Sequence, residues 1–133
     1  MSNWSAEMDV GDDWMNRQHR WLLAVAGCYT QALCRNAPQR ELVEVLEEVA
    51  DYARDHFREE EALMAACNYP DLASHRRAHQ QLLARITILL LELRNGVFGV
   101  EESIRQFLGH SLTAHIKDQD TQYRPYVQTL LAA

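Results

Sequence analysis

Apolar residues recur at helical spacing in four stretches of this chain, separated by short polar segments. The first begins at Asp12 and gathers Leu22, Leu23, Ala26, Thr30 and Leu33 on the side that also carries His19; it stops near Arg35-Asn36-Ala37-Pro38. A second runs from about Gln39 to Ala66, with Leu42, Val45, Val49, Tyr52, Ala53 and Leu63 sharing a side, and Cys67-Asn68-Tyr69-Pro70-Asp71 breaks it because Pro70 cannot continue a helix. The third covers about Leu72 to Arg94, turns Leu82, Leu83, Ile86, Leu89, Leu90 and Leu93 inward, and closes at Asn95-Gly96. The fourth starts near Val100 and aligns Ile104, Leu108 and Leu112. Residues 1–11 lack this period and read as an extended arm that packs by Trp4. Four amphipathic helices with short connections predict an all-α fold, an up-down-up-down antiparallel four-helix bundle with an extended N-terminal arm, and residues 1–133 form one domain.

The apolar faces carry an unusual set of polar residues. His56 and Glu60 are four apart, only about 40° around a helix axis, so both point inward with Val49 and Ala53. His75 and His79 repeat the spacing on the third helix, His19 lies on the inner face of the first, and His115 follows Leu112 on the fourth. His110 points away. One half-buried histidine is unremarkable in a core, but five converging imidazoles need many buried partners that leucine-rich faces do not offer. Asp120 lies five after His115, about 140° away on a straight helix, so it joins them only if the helix ends or distorts; Asp118 is the competing carboxylate. Glu59 and Glu61 read as solvated, with Glu61 able to support a neighbouring group.

Composition narrows the chemistry. With 47% hydrophobic and 24% charged residues the chain is a compact globular one, and its net charge of −6 shows no basic stripe for nucleic acid and disfavours an acidic membrane surface. No apolar run is long enough to span a bilayer and residues 1–13 lack signal-peptide order, so a cytoplasmic location is expected. Cys28, Cys34 and Cys67 are odd in number and widely spaced, which suggests neither a disulfide framework nor a cysteine metal site. A second apolar stripe on the first helix, Trp14, Trp21, Val25 and Cys28, is either covered by the arm and loops or used as a weak homo-oligomer contact.

A metal centre accounts for the buried set. Five histidines with Glu60 and Asp120 exceed what one zinc takes and are too nitrogen-rich for calcium or magnesium, whereas two transition ions, iron above all, suit imidazole with carboxylate. If both carboxylates bridge, and an oxo or hydroxo group bridges as well, two octahedral ions are filled except for one position. His75, His79 and His115 then saturate one ion, and His19 and His56 share the other with the vacancy, which suits a small neutral ligand such as O2.

The run Gln18-His19, then His56-Phe57-Arg58-Glu59-Glu60 with Met64, Tyr69-Pro70, His75 and His79, and His115-Ile116 with Asp120 and Tyr123, resembles the hemerythrin family, in particular its single-domain bacteriohemerythrins, over essentially the whole chain. The resemblance implies two iron ions with an oxo or hydroxo bridge, held by His19, His56, Glu60, His75, His79, His115 and Asp120, and reversible O2 binding for carriage, storage or supply, with NO or azide as other small ligands. By position, Leu22, Phe57, Leu112 and Ile116 would line the oxygen pocket. Two departures stand out: Asn16, three before His19 and inward by helical phase, replaces the family's usual Asp, and Ser111 stands where the family usually has Trp, four before the last histidine. A hydroxyl in place of a ring is expected to enlarge the pocket unless Trp21 or Phe107 fills the space. An enlarged pocket keeps open an alternative, a di-iron oxidase, peroxidase or nitric-oxide-processing enzyme, although the Glu-x-x-His pairs common in oxygen-activating bundles are missing from this sequence.

Overall fold

The computed structural model describes residues 4–132. Helix α1 spans Asp13–Cys34, α2 Gln39–Ala66 and α3 Leu72–Arg94, and the fourth leg of the bundle is built from α4 (Val100–Gln106), a π-turn (Phe107–Ser111) and α5 (Leu112–Asp118). A 3-10 turn at Asp120–Tyr123 leads into α6 (Arg124–Ala132). No strand occurs among the described residues, and the expected four-helix bundle with an N-terminal arm is what forms.

Each boundary has a local cause. Asp12 caps α1, its carboxylate accepting the Met15 amide at 2.9 Å. The first three helices end in the same way, with a residue in the left-handed region just past the end: Asn36 at φ 57°, Asn68 at φ 58° and Gly96 at φ 65°. In each case the next amide reaches back to a carbonyl of the last turn, Ala37 to Ala32 at 3.0 Å, Tyr69 to Met64 at 2.9 Å and Val97 to Glu92 at 3.1 Å. Asparagine and glycine tolerate that conformation, so they turn the chain, and Pro38 and Pro70 follow two residues later as a second barrier. The stop credited to Pro70 thus belongs first to Asn68.

The main core is a single cluster along the bundle axis, from Leu22, Ala26 and Tyr29 through Leu46, Val49 and Phe57 to Ile86, Leu89, Ile104 and Leu112. Burying such aliphatic side chains stabilises by roughly 1.5–3 kcal/mol each and fixes the helices in register. The π-turn at Phe107–Ser111 widens the fourth leg by one residue per turn, a feature that recurs at functional sites. Phe107 and Leu108 remain buried, and Gly109 and His110 face out, as the phase of His110 requires.

The arm makes a 3-10 turn at Ala6–Met8 inside otherwise extended backbone and lays Met8 onto Leu23 and Ile116, with Trp4 packed alongside and the Arg20 guanidinium 4.3 Å from its ring centroid. It therefore does not cover Trp14 and Trp21, which remain 55% and 60% exposed; Cys28 is exposed and Val25 half-buried against the core. The arm packs on the side of α1 that carries Arg20 and Leu23, away from that stripe, a direction that helical phase alone does not fix.

Asn16 pins the arm. Its Oδ1 accepts the Val10 amide at 3.0 Å, and its Nδ2 donates to Asp9 Oδ1 at 2.8 Å, while the same Asp9 oxygen accepts the Gly11 amide at 2.8 Å. Asn16 is buried, so it points inward as its phase predicts, but toward the arm. These two donors also hold the Asp9 carboxyl below its usual range, the Asn16 amide contributing most. Asn16→Ala strands the buried Val10 amide and is expected to cost ~1–3 kcal/mol. Chemical denaturation reads that loss, and hydrogen exchange reads it as faster exchange at Val10 with little change in the core of α2.

Candidate metal centre

The bundle brings all seven expected donors to one place. His19 comes from α1, His56 and Glu60 from α2, His75 and His79 from α3, His115 from α5 and Asp120 from the 3-10 turn after it; each is at most 5% exposed. Asp120 reaches the centre because α5 ends at Asp118 and the chain tightens, the distortion its spacing demanded, while Asp118 stays exposed.

The donors separate into two sets that share both carboxylates. Toward one side, His19 Nε2 lies 2.8 Å from Glu60 Oε2 and 3.1 Å from Asp120 Oδ2, with His56 Nε2 3.8 Å from Glu60 Oε2. Toward the other, His75 and His115 Nε2 approach Asp120 Oδ1 at 2.8 and 3.0 Å, and His79 Nε2 approaches Glu60 Oε1 at 3.1 Å. One set is thus His19, His56, Glu60 and Asp120, the other Glu60, His75, His79, His115 and Asp120, with donor atoms within 4.8 Å of one another in each. Each carboxylate turns one oxygen to each set: Glu60 Oε2 to His19 and His56 and Oε1 to His79, Asp120 Oδ2 to His19 and Oδ1 to His75 and His115.

Groups behind the imidazoles fix which nitrogen faces inward. Gln18 donates its Nε2 to Glu59 Oε2 at 2.9 Å, so its Oε1 is turned to His56 Nδ1, 2.8 Å away, and that nitrogen must carry the hydrogen. Glu61 likewise accepts from His79 Nδ1 at 2.8 Å and from Arg76 at 3.3 Å. Both rings then turn Nε2 toward the carboxylates. Glu59 is exposed, as expected, and still holds the buried Gln18, whereas Glu61 is half-buried and supports His79, the neighbouring group it was expected to be able to serve.

The donor set fits a cation on its own chemistry. Two fully buried carboxylates face each other with no Lys or Arg among their contacts, and the buried His56 Nε2 has no hydrogen-bond partner. Without a metal, protons must replace its charge. Burial alone would lower His19, but Glu60 and Asp120 outweigh it and raise it to about 10; the same contest, with Asp120 ahead of Glu60, raises His75 to about 9. Burial wins at His56 and pushes it down to about 4. The imidazoles hold Glu60 and Asp120 well below the carboxylate range despite their burial. Tyr123 donates to Glu60 Oε2 at 2.9 Å, and burial with the neighbouring carboxylates keeps its phenol protonated.

Around the donors, Phe57 stacks on His79 with ring centroids 4.0 Å apart and stands 5.6 Å from His56 and 5.9 Å from His115. Leu22 and Leu112 join Phe57 in the main core, whereas Ile116 belongs to the cluster under the arm with Met8 and Leu23. Ser111 is half-buried in the wall of a surface groove of about 350 Å³ between α3 and α5 that reaches His115. Phe107 shares that wall without closing the groove, and Trp21 lies elsewhere, lining a separate surface groove with Trp14, Tyr52 and His56.

Fold and donor cluster together define a metal-binding four-helix bundle. Residues 10–127 match the family described as hemerythrin HHE cation binding domain, and the chain belongs to the hemerythrin family. Among its relatives, a bacteriohemerythrin of Stenotrophomonas maltophilia is 31% identical over 96% of this chain and 82% of its own length. A hemerythrin-like protein of Naegleria gruberi is 30% identical over 92% of this chain and 90% of its own. Two crystal structures of hemerythrin variants, with a leucine replaced by alanine or by tyrosine, superpose with TM-scores of 0.83 and 0.84 at 22% identity, covering 96% of this chain and 98% of theirs, which shows the shared fold.

The protonation pattern gives a signed expectation. His19 and His75 are raised above the ordinary 6.5, so their contribution to the stability of the metal-free chain is fully present below pH 6.5 and is lost as pH rises through about 9 and about 10. Calorimetry of the metal-free protein should show its melting temperature falling across that window. Metal loading at neutral pH displaces those protons, so an unbuffered titration should register release of about two per chain. A metal-free melting temperature that rises steadily from pH 7 to 10 would contradict both.

Proposed function

We propose that the chain holds two iron ions and binds O2 reversibly, as a carrier, store or supply protein. The observation that supports this most is the division of the five imidazoles, three and two, between two donor sets that share both carboxylates. His75, His79 and His115 would hold one ion, His19 and His56 the other, and Glu60 and Asp120 would bridge, together with an oxo or hydroxo group. Bound there, the irons would supply one open coordination position and the electrons a small ligand such as O2 takes up. The protein contributes geometry and a dry boundary: Gln18 and Glu61 orient His56 and His79 through their Nδ1 hydrogens, while Leu22, Phe57 and Leu112, at most 2% exposed, favour a small neutral ligand over water. Ile116, 1% exposed on the arm side of the bundle, would complete that boundary.

No described helix is long and apolar enough to cross a membrane, and a cytoplasmic location is part of this reading. So is weak self-association through Trp14, Trp21, Val25 and Cys28, which sedimentation of a strict monomer at high concentration would remove.

Loading the metal-free chain with ferrous iron without oxygen, then admitting air, tests the reading by optical and resonance Raman spectroscopy. About two irons per chain and an oxygen adduct that disappears on degassing are expected. Zinc in the purified protein, or a single ion per chain, would refute it.

The groove at Ser111 favours a second reading, a di-iron redox enzyme acting on small oxidisable molecules, since it leads from solvent to His115. Under either reading Ser111→Trp is expected to fill the groove and slow both azide binding and autoxidation, by about tenfold for each ~1.4 kcal/mol added to the barrier. Stopped-flow rates equal to those of the parent protein would show that ligands enter elsewhere.

A further inference from the structure

Beside the centre lies a string of tyrosines that the oxygen-binding reading does not use. Tyr123 is fully buried, with its hydroxyl on Glu60 Oε2 at 2.9 Å. Its ring is 6.2 Å from that of Tyr69, edge to face at 71°, and Tyr69 stands 5.3 Å from Tyr126 in the same orientation. Exposure rises outward, 0% at Tyr123, 9% at Tyr69 and 39% at Tyr126. Three separate elements supply the string: the left-handed turn after α2 sets Tyr69, the 3-10 turn sets Tyr123, and α6 sets Tyr126.

Edge-to-face packing alone stabilises such pairs by about 0.5–1.5 kcal/mol, and a core cluster needs nothing more. Here, however, one end touches a carboxylate of the centre and the other reaches solvent. The same cluster also buries three oxidisable sulfur side chains, Met15, Met64 and Cys67. Phenols in contact give up an electron across each gap more readily than the aliphatic walls around them, provided each loses its proton to a nearby acceptor.

We infer that Tyr123, Tyr69 and Tyr126 form a route by which oxidising equivalents, left at the centre when it meets hydrogen peroxide, leave for the surface. The inference rests on the iron reading. In the first step Tyr123 yields an electron to the centre and its phenolic proton to Glu60 Oε2. Tyr69 then supplies an electron to Tyr123, whose proton returns from Glu60, and releases its own proton into the polar groove it lines with Ser74, His75, Arg77 and Gln122. Tyr126 re-reduces Tyr69 in turn, Tyr69 regains a proton from the groove, and Tyr126 loses its proton to solvent. A soluble reductant, ascorbate or a thiol, restores Tyr126 by donating a hydrogen atom. Two such passages deliver the two electrons that, with two protons from water, reduce hydrogen peroxide to two water molecules. Met64 and Cys67 are thereby spared.

The test uses the iron-loaded full chain and two variants, Tyr69→Phe, which interrupts the string while keeping its packing, and Tyr126→Phe, which removes only the exposed end. After a pulse of hydrogen peroxide, freeze-quench EPR should detect a tyrosyl radical in the parent that ascorbate removes. In Tyr69→Phe the radical should persist on Tyr123 and react with ascorbate at least about tenfold more slowly, and peptide mass spectrometry should find more oxidised Met64 and Cys67 in both variants. Equal decay rates and equal sulfur oxidation in all three iron-loaded proteins would overturn the tyrosine route alone. A chain that takes up no iron would overturn it together with the iron reading, and metal analysis before the pulse tells the two failures apart.

Discussion

The structure depends on the burial of two carboxylates, Glu60 and Asp120, at the centre of an otherwise aliphatic bundle. Taking a charge out of water costs several kcal/mol even after relaxation, and a pair of like charges adds repulsion. Only concentrated positive charge offsets that. Five imidazoles from the bundle's four legs converge to supply donors for it, and the legs are held at fixed positions by Leu46, Val49, Ile86 and Ile104 further along the axis. The aliphatic half of the bundle thus makes the polar half possible.

The same requirement explains the irregular fourth leg. A continuous helix would carry Asp120 about 140° away from His115. By ending α5 at Asp118 and tightening into a 3-10 turn, the chain places His115 Nε2 and Asp120 Oδ1 3.0 Å apart. The turn also delivers Tyr123 to Glu60. One local departure from the α-helix therefore completes both carboxylates' surroundings.

Most of this was legible in sequence wherever the signal was periodic or local. The limits of α2 and α3 agree with the reading because the apolar period runs unbroken to an Asn or Gly that ends it. Six of the seven donors were legible because each lies on an apolar face where a polar residue needs a partner; Asp120, off that face by phase, competed with Asp118 and was favoured by the family resemblance. Relations across the fold were not. Nothing in Phe107-Leu108-Gly109-His110-Ser111 distinguishes a π-turn from a helix, since the extra residue is accommodated by tertiary packing. Asn16 was placed inward, but its partners lie in an arm without period. Gln18 and Glu59, or His79 and Glu61, meet across helix pairs, and helical phase reports a direction around one axis without saying what stands opposite.

Those outer partners make the two halves of the centre chemically unequal. His79, in the three-imidazole set, donates to a carboxylate, Glu61; His56, in the two-imidazole set, donates to a neutral amide, Gln18. An anionic acceptor draws the Nδ1 hydrogen more strongly and makes the opposite nitrogen a better donor. The set with more imidazoles is therefore also the set with a more basic one, while the set with fewer donors has the weaker support behind it. Glu59, one bond further out behind Gln18, conveys only part of that effect. The asymmetry in donor number and the asymmetry in donor strength run in the same direction, so an incoming ligand would meet the less saturated and less electron-rich side of the site. On the proposed reading, that is the side on which a small molecule would coordinate, while Phe57, stacked on His79, packs against the fuller set.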